Sequence, residues 1–376
     1  MTAFTAQVAI IGSGIQGSAA ARELAFRGVD VIVIEAEYAG RHASGVNAGG
    51  VRTLNRSIAE LPLALASKRL WSRIEELVDD DCGYRQVGQL NVAVDDESLE
   101  RFRRRNDEFI RANIPHVERL LTPEEVREIL PDFAGPIAGG AYVPDDGYAL
   151  PFHTTQAFRR KAEALGARFI EGDAVQAAKK AENGWRLFTA SGHEVRANQI
   201  INCTGAWAAE IGKLFGDKLP IQPNGSMQIV TTRLPAFLPV VVGVWGRSMS
   251  AKQFENGTVV LGGGRRSPVD IKTKRADLTL PGLVLAARQA STFFPLLGKA
   301  TIARSWSGIE AFTPDGMPVI GFGSAPGVVH AAGFSAHGFQ VGPAIGVVLA
   351  DLVTAGRSSI PIAALSLTRF NENRGH

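Results

Sequence analysis

Three glycines and one acid have spacing that implies chemistry: Gly12, Gly14, Gly17 and Glu35. Gly12-Ser-Gly-Ile-Gln-Gly17 follows the apolar run Gln7-Val-Ala-Ile-Ile11 and opens an alanine-rich stretch that stops at Gly28. In that setting Gly12 permits a tight turn, Gly14 lets backbone approach a pyrophosphate, and Gly17 lets helix and strand pack closely. The helix start at Ile15 and Gln16 offers unpaired N–H groups to phosphates. Val29-Asp-Val-Ile-Val-Ile34 reads as a second strand. Glu35, followed by Ala36, stands 18 residues after Gly17, where a carboxylate can hold a ribose diol. Strand, helix, strand and acid together predict dinucleotide binding rather than a merely structural glycine turn.

Which dinucleotide is decided further along. Arg41-His-Ala-Ser-Gly-Val-Asn-Ala-Gly-Gly-Val-Arg52 comes directly after the second strand. It resembles the sarcosine oxidase, glycine oxidase and D-amino-acid oxidase (DAO) family of flavoproteins. The similarity is greatest to the sarcosine oxidase β-subunit branch, which includes D-hydroxyproline dehydrogenase and opine oxidase subunits. In that family an Ala-Ser-x-x-Asn-Ala-Gly-Gly stretch passes beneath the isoalloxazine, here Ala43, Ser44, Asn47, Ala48 and Gly49, with Arg41 and His42 before them. Asn202-Cys-Thr-Gly-Ala-Trp207 resembles the family's strand-end Gly-Ala-Trp and contributes Thr204, Gly205 and Trp207. Trp306-Ser-Gly-Ile-Glu-Ala-Phe-Thr-Pro-Asp-Gly-Met-Pro-Val-Ile-Gly321 resembles its Trp-x-Gly…Thr-Pro-Asp-Gly segment and contributes Gly308. Ala332-Gly-Phe-Ser-Ala-His-Gly-Phe-Gln-Val-Gly-Pro343 resembles its Gly-Phe-Ser-Gly-His-Gly-Phe motif and contributes Gly333, Phe334, Ser335, Gly338, Phe339 and Gln340. Val175 completes the expected cofactor contacts.

The resemblance runs through the whole chain and implies a fold, a cofactor and a reaction. The fold is mixed α/β, a Rossmann-like FAD-binding domain with an inserted β-rich substrate domain. The cofactor is FAD, noncovalent by default, although in some relatives a histidine such as His42 carries it covalently. The reaction is oxidation of a C–N bond in a secondary or N-substituted amino acid (D-hydroxyproline-, proline-, sarcosine- or opine-like). Hydride passes to flavin N5 and leaves an imine, with O2, a quinone or a partner subunit as electron acceptor. A cyclic or bulky imino acid such as D-hydroxyproline is the expected substrate. The alternatives are a flavin dehydrogenase of a hydroxy acid or polyol phosphate, and a noncatalytic flavoprotein assembly factor.

A fork of guanidinium donors suits a substrate carboxylate, which makes Arg52 the first candidate and Arg56 the second. Monomeric sarcosine oxidases place another arginine three residues on and a lysine after the final Gly-Phe, where this chain has Asn55 and Gln340. The inserted strands around 225–265 offer Met227, Gln228, Trp245, Arg247 and Lys252, each of which reads equally well as sheet packing or solvent-facing charge. A lysine across the flavin assists oxygen activation in relatives, a role open to Lys252. Backbone N–H groups at Gly338, Phe339 and Gln340 can polarise the flavin N1–C2=O edge. His337 reads equally as a packed imidazole and as a catalyst. The candidate catalytic set is Arg52, Lys252, His337 and Gln340; the candidate substrate contacts are Arg52, Asn55, Met227, Trp245, Arg247 and Lys252.

The remaining chemistry-bearing residues point elsewhere. Arg101-Phe-Arg-Arg-Arg105 is flanked by Glu97, Glu100, Asp107 and Glu108, which marks a solvated helix face rather than a nucleic-acid site. Asp145-Asp146 lies between Pro144 and Gly147 and reads as a turn. Seven histidines without close pairing argue against a metal. Cys203, on an apolar strand, reads as an inert buried thiol.

Positioning these residues takes an ordinary globular chain. It has 376 residues, 20% of them charged, a net charge of +3 and two cysteines, which excludes a disulfide framework and fits a reducing, cytoplasmic setting. No transmembrane segment is expected, and a homo- or hetero-oligomer is possible. Helices are expected over 58–78, 95–114 (apolar side Leu99, Phe102, Phe109, Ile110), 123–130, 154–165 and 337–355, with strands and turns from 219 to 304. Asn256-Gly257 suggests a type I′ hairpin. The expected cofactor domain comprises 1–80, 141–218 and 305–376, and the substrate domain 81–140 and 219–304.

Overall fold

The computed structural model describes residues 2–263 and 266–370; Met1, residues 264–265 and the end of the 305–376 segment, 371–376, lie outside the described residues. Two large sheets dominate. The first has the order Val319–Phe322, Val328–Ala332, Glu194–Asn202, Ala3–Ile11, Val31–Ile34 and Arg168–Ile170, with Val175–Ala181 and Gly184–Thr189 attached as a hairpin. Ala3–Ile11 pairs in parallel with both Val31–Ile34 and Glu194–Asn202. Val31–Ile34 and Val328–Ala332 are buried along their whole length because both faces of the sheet are covered there. On one face the helices Ile15–Phe26 and Gly338–Ala355 bury Ile10, Leu24, Val33, Ile345 and Val348; on the other, Trp185 and Leu187 pack against Ile32 and Ile200.

Gly338–Ala355 is long and apolar enough to cross a membrane, with mean hydropathy 1.5, but 67% of it is buried in the protein. It is a core helix. Gly346 lets it approach closely, since a Cβ there would lie 2.6 Å from the Ala19 carbonyl oxygen.

The second sheet runs Arg266–Ser267, Gln222–Thr231, Val259–Gly262, Ser250–Gln253, Val241–Val244, Gln89–Ala93, Gly139–Val143 and Arg119–Leu121, with Ile302–Phe312 also pairing with Gln222–Thr231. Leu90, Val92, Ile229, Val242, Ala251 and Leu261 face a core closed by the helix Leu280–Phe293. Residues of the opposite alternation face the first sheet, so one pleat separates core from cavity.

Several expectations are corrected. Leu280–Phe293 is a 14-residue helix inside the stretch expected to be strands and turns; Pro281 in its first turn is a start signal. Gly139–Val143 and Ile302–Phe312 belong to the second sheet, so boundaries at 141 and 305 cut through its strands. The 58–78 stretch divides into Leu61–Trp71 and Ile74–Val78. The Asn256 turn is not type I′: Gly257 has φ +86° but Asn256 is not left-handed, and its Oδ1 accepts from Thr258 N and Oγ1. On Asp96–Arg111, Phe102 and Phe109 are buried, whereas Ile110 is 77% exposed. The Thr122 capping box forms as expected.

Candidate functional site

A cavity of about 650 Å³ lies between the two sheets. Its floor begins at the glycine turn. Gly12 has φ +97°, and a Cβ there would lie 2.7 Å from the Cys203 carbonyl oxygen; one on Gly17 would run into the Gly12 carbonyl. Only glycine fits either place. Glu35 is fixed at the adjoining strand end: one carboxylate oxygen accepts from Ser13 N (2.8 Å) and Oγ (3.2 Å), the other from Glu37 N (2.9 Å). The Ser44 hydroxyl accepts the Ile15 N–H at 2.9 Å, locking the loop to the helix start. Asn47 closes that loop, donating to the carbonyls of Ala43 and Ser44 and accepting from Gly49 N. His42 lies 3.2 Å from a Glu37 oxygen, with its ring 4.7 Å from that of Trp207.

The Thr204–Trp207 wall is anchored from behind. Asn202 Oδ1 accepts from Thr204 N and Oγ1, its Nδ2 meets His330 Nδ1 at 3.2 Å, and His330 Nε2 meets Asp217 at 2.9 Å. His330 and Asp217 are buried and 113 positions apart, which no local pattern reveals.

At the other end, Arg52 donates to the Leu54 carbonyl and has no ion pair among the described residues. Its loop is held by Asp146, which accepts from Thr53 N, Thr53 Oγ1 and Leu54 N at 2.9 Å each and meets Lys68 at 3.3 Å. The expected turn residue is therefore a buried anchor. Arg56 is a strut, donating to the His337 carbonyl (3.1 Å) and Gln340 Oε1 (3.3 Å). Gln340 also donates to the Ala64 carbonyl at 2.9 Å, which leaves its amide no freedom for catalysis. Burial pushes His337 down to about 4, so its ring is neutral at pH 7; it lies 3.6 Å from Glu60, whose carboxylate His337 and Arg56 hold down to about 2 against the effect of burial.

The roof comes from the sheet register. Gln89 pairs with Val241, Lys252 with Val260, and Ser250 with Gly262, placing Gln89, Val241, Ser250, Lys252 and Gln228 on one face. Lys252 is 3% exposed; burial, then the charge of Arg52, pulls it down to about 7. Gln89 Oε1 and Gln228 Oε1 are buried without hydrogen-bond partners among the described residues.

The other expected residues divide. Gly14, Gln16, Ala36, Arg41, Ala48, Val175, Gly205, Gly333, Phe334, Ser335, Gly338 and Phe339 line the cavity. Gly308 does not: it faces Val46, whose Cγ2 would lie 2.5 Å from an added Cβ. Asn55 is left-handed, with its N–H bound to Glu118. Trp245 and Arg247 line a separate depression, where Arg101 sits over the Trp245 ring. Met227 is in the cavity lining, but its side chain reaches toward the start of Leu280–Phe293, where its sulfur accepts from Thr279 N at 3.5 Å. Cys203 is buried, with its thiol pushed upward by burial.

Glu310 was not expected. It lies in the cavity wall beside Ser226 and the Ala336 N–H, 8% exposed, and burial pushes it up to about 7. A lone acid inside the apolar run Ser307-Gly-Ile-Glu-Ala-Phe312 is the signal that marks it. Ser335 and Ala336 take left-handed φ values of +50° and +67° beside it, a strain of roughly 1 kcal/mol each.

The glycine cradle, the fixed Glu35 and a cavity lined by both fit an FAD-type dinucleotide. A family model described as DAO, FAD dependent oxidoreductase, matches residues 7–352. Glycine oxidase of Geobacillus kaustophilus (strain HTA426) is 29% identical, with 96% of each chain covered. Sarcosine oxidase subunit beta of Arthrobacter sp. is 27% identical over 81% of this chain and 75% of that one. The crystal structure of L-proline dehydrogenase from P. horikoshii superposes with a TM-score of 0.90 at 29% identity, covering 98% of this chain and 99% of the other.

Proposed function

Because the chain belongs to the DAO family of FAD dependent oxidoreductases, we propose that it oxidises the C–N bond of a secondary or N-substituted amino acid, D-hydroxyproline-, proline-, sarcosine- or opine-like. The observation that carries this reading is Arg52: a guanidinium opening on the cavity, with no carboxylate bound to it among the described residues. Such a fork is preorganised for a carboxylate, and Asp146 holds its loop in place before substrate arrives.

FAD, bound in the cavity, would supply the acceptor for hydride from the carbon beside nitrogen. Gly12 and Gly14 with the helix start would hold its pyrophosphate, Glu35 its ribose, and the 41–49 loop with Thr204 and Trp207 its ring system. Noncovalent attachment is favoured because Glu37 and Trp207 already engage the His42 ring. The backbone N–H groups from Gly338 to Gln340 would stabilise negative charge at the pyrimidine edge. Glu310, when ionised, would face the substrate ammonium and take its proton, leaving the neutral amine that can give up hydride. His337 would position Glu60 and Arg56 rather than transfer protons. Reduced, buried cysteines favour a cytoplasmic setting, and the electron acceptor is O2, a quinone or a partner subunit.

The test compares anaerobic flavin reduction by N-alkyl amino acids and by their carboxamides, in the wild type and in Arg52→Ala. The wild type should prefer the acids by about 10²-fold in kcat/KM, mostly through KM, and Arg52→Ala should lose that preference. Equal rates with acid and amide in the wild type would remove Arg52 from the reading.

A further inference from the structure

Lys252 is left over by that reading. Its ammonium lies near the short strand Gly50–Val51, with Nζ 4.0 Å from where a Gly50 Cβ would be, and it opens on the same cavity as Arg52. Among the described residues it makes no hydrogen bond and no ion pair. The groups facing it from each packed element carry no negative charge: Val241 and Val260 from the neighbouring strands, Gln89 and Gln228 beyond them, and Arg52 from the floor. Glu310 stands away on the strand Ile302–Phe312, beside Ser226 and Ala336.

A buried ammonium with only a cation beside it is costly; half-buried Arg52 feels the charges of Asp146, Glu60 and Glu118 but is ion-paired with none of them among the described residues, and a ligand that brings opposite charge to both groups relieves that cost. One carboxylate held bidentately satisfies the Arg52 fork and uses both of its oxygens. The ammonium then still lacks a counter-charge, with the uncharged amides of Gln89 and Gln228 alongside to complete a polar lining.

We propose that Arg52 and Lys252 seat two carboxylates, so that the substrate is an N-carboxyalkyl amino acid, a secondary amine with an acid on each arm. This rests on the amine-oxidising reading above and narrows its substrate class. It also makes binding proton-linked. In the empty cavity burial and Arg52 hold the lysine near 7. Above that pH a neutral Lys252 must take up a proton to meet the second carboxylate, so affinity falls about tenfold per pH unit above roughly pH 7 and is flat below it.

The test uses the FAD-loaded protein with iminodiacetate, which has two acids, and sarcosine, which has one. Anaerobic reduction should show the wild type preferring iminodiacetate at least tenfold in apparent Kd near neutral pH. Lys252→Met should lose that preference while still binding sarcosine, and Lys252→Arg should keep it without the pH dependence. FAD content and melting temperature report whether each variant is folded. Equal affinity for both amines in the wild type, or an undiminished preference in folded Lys252→Met, overturns the proposal. Malonate and acetate, followed by perturbation of the flavin spectrum, separate it from the reading it rests on. If no amine reduces the flavin but malonate outcompetes acetate with the same pH dependence, the two-cation seat stands and the amine chemistry fails. If amines reduce the flavin and malonate shows no advantage, the seat fails and the amine chemistry stands.

Discussion

Glu310 shows how much a single residue's role depends on what folds over it. In sequence it is one acid in a short apolar segment; in the structure it is a carboxyl kept near neutrality by burial, on the cavity wall. Its raised value sets two expectations. Activity that needs its carboxylate should rise with pH through about 7, and Glu310→Gln should remove that limb and lower kcat/KM by about 10²-fold. Stability follows the opposite sign. A carboxyl whose value is higher folded than unfolded binds more protons in the native state from its ordinary range near 4.5 up to about 7, so stability declines across that window as pH rises. Thermal melting of Glu310→Gln should therefore match the wild type most closely in acid and exceed it above pH 7. Glu35 and Arg52 were legible from sequence because their neighbours in the motif are their neighbours in space. Asp146, His330 and Asp217 were not, because each acts through a partner roughly a hundred positions away.

Elements that carry local signals were readable as well. The turn and helix after Ala3–Ile11, the Thr122 capping box and the helix from Gly338 each announce themselves through spacing, caps or composition. The failures came where tertiary packing decided the outcome. Leu280–Phe293 is a helix because Ala286, Ala290 and Phe293 cover the second sheet, and the Pro-Gly pair near its start disguised it. Met227 points its buried side chain toward Thr279 because one pleat separates it from Gln228, and only the register of Gln222–Thr231 with Ile302–Phe312 fixes which side chain opens most fully on the cavity. The glycine turn is the element the account leans on most. Gly17→Ala would drive a methyl into the Gly12 carbonyl. We expect it to cost about 1–3 kcal/mol in denaturant unfolding and to weaken FAD retention on desalting, with secondary structure unchanged. Full FAD content in a normally stable Gly17→Ala protein would mean that the turn is not the phosphate cradle.

At the scale of the whole molecule, the expectation was a mixed α/β fold with a Rossmann-like FAD-binding domain and an inserted β-rich domain, and the structure has two large sheets with the cavity between them. The limits between the layers were less legible because Gly139–Val143 and Ile302–Phe312 join the second sheet by long-range pairing that leaves no local mark. Glycine placement makes sense at this scale: 17 of the 41 glycines fall within 1–50 and 301–350, segments that contribute the floor and far wall of the cavity. The central claim is that this cavity oxidises amino acids at a C–N bond. Its most direct test is anaerobic titration of the FAD-loaded protein with matched pairs, an N-substituted amino acid and the corresponding 2-hydroxy acid, following flavin absorbance near roughly 450 nm. The account predicts bleaching by the amino acids alone; bleaching by the hydroxy acids while every amino acid leaves the flavin oxidised would contradict it.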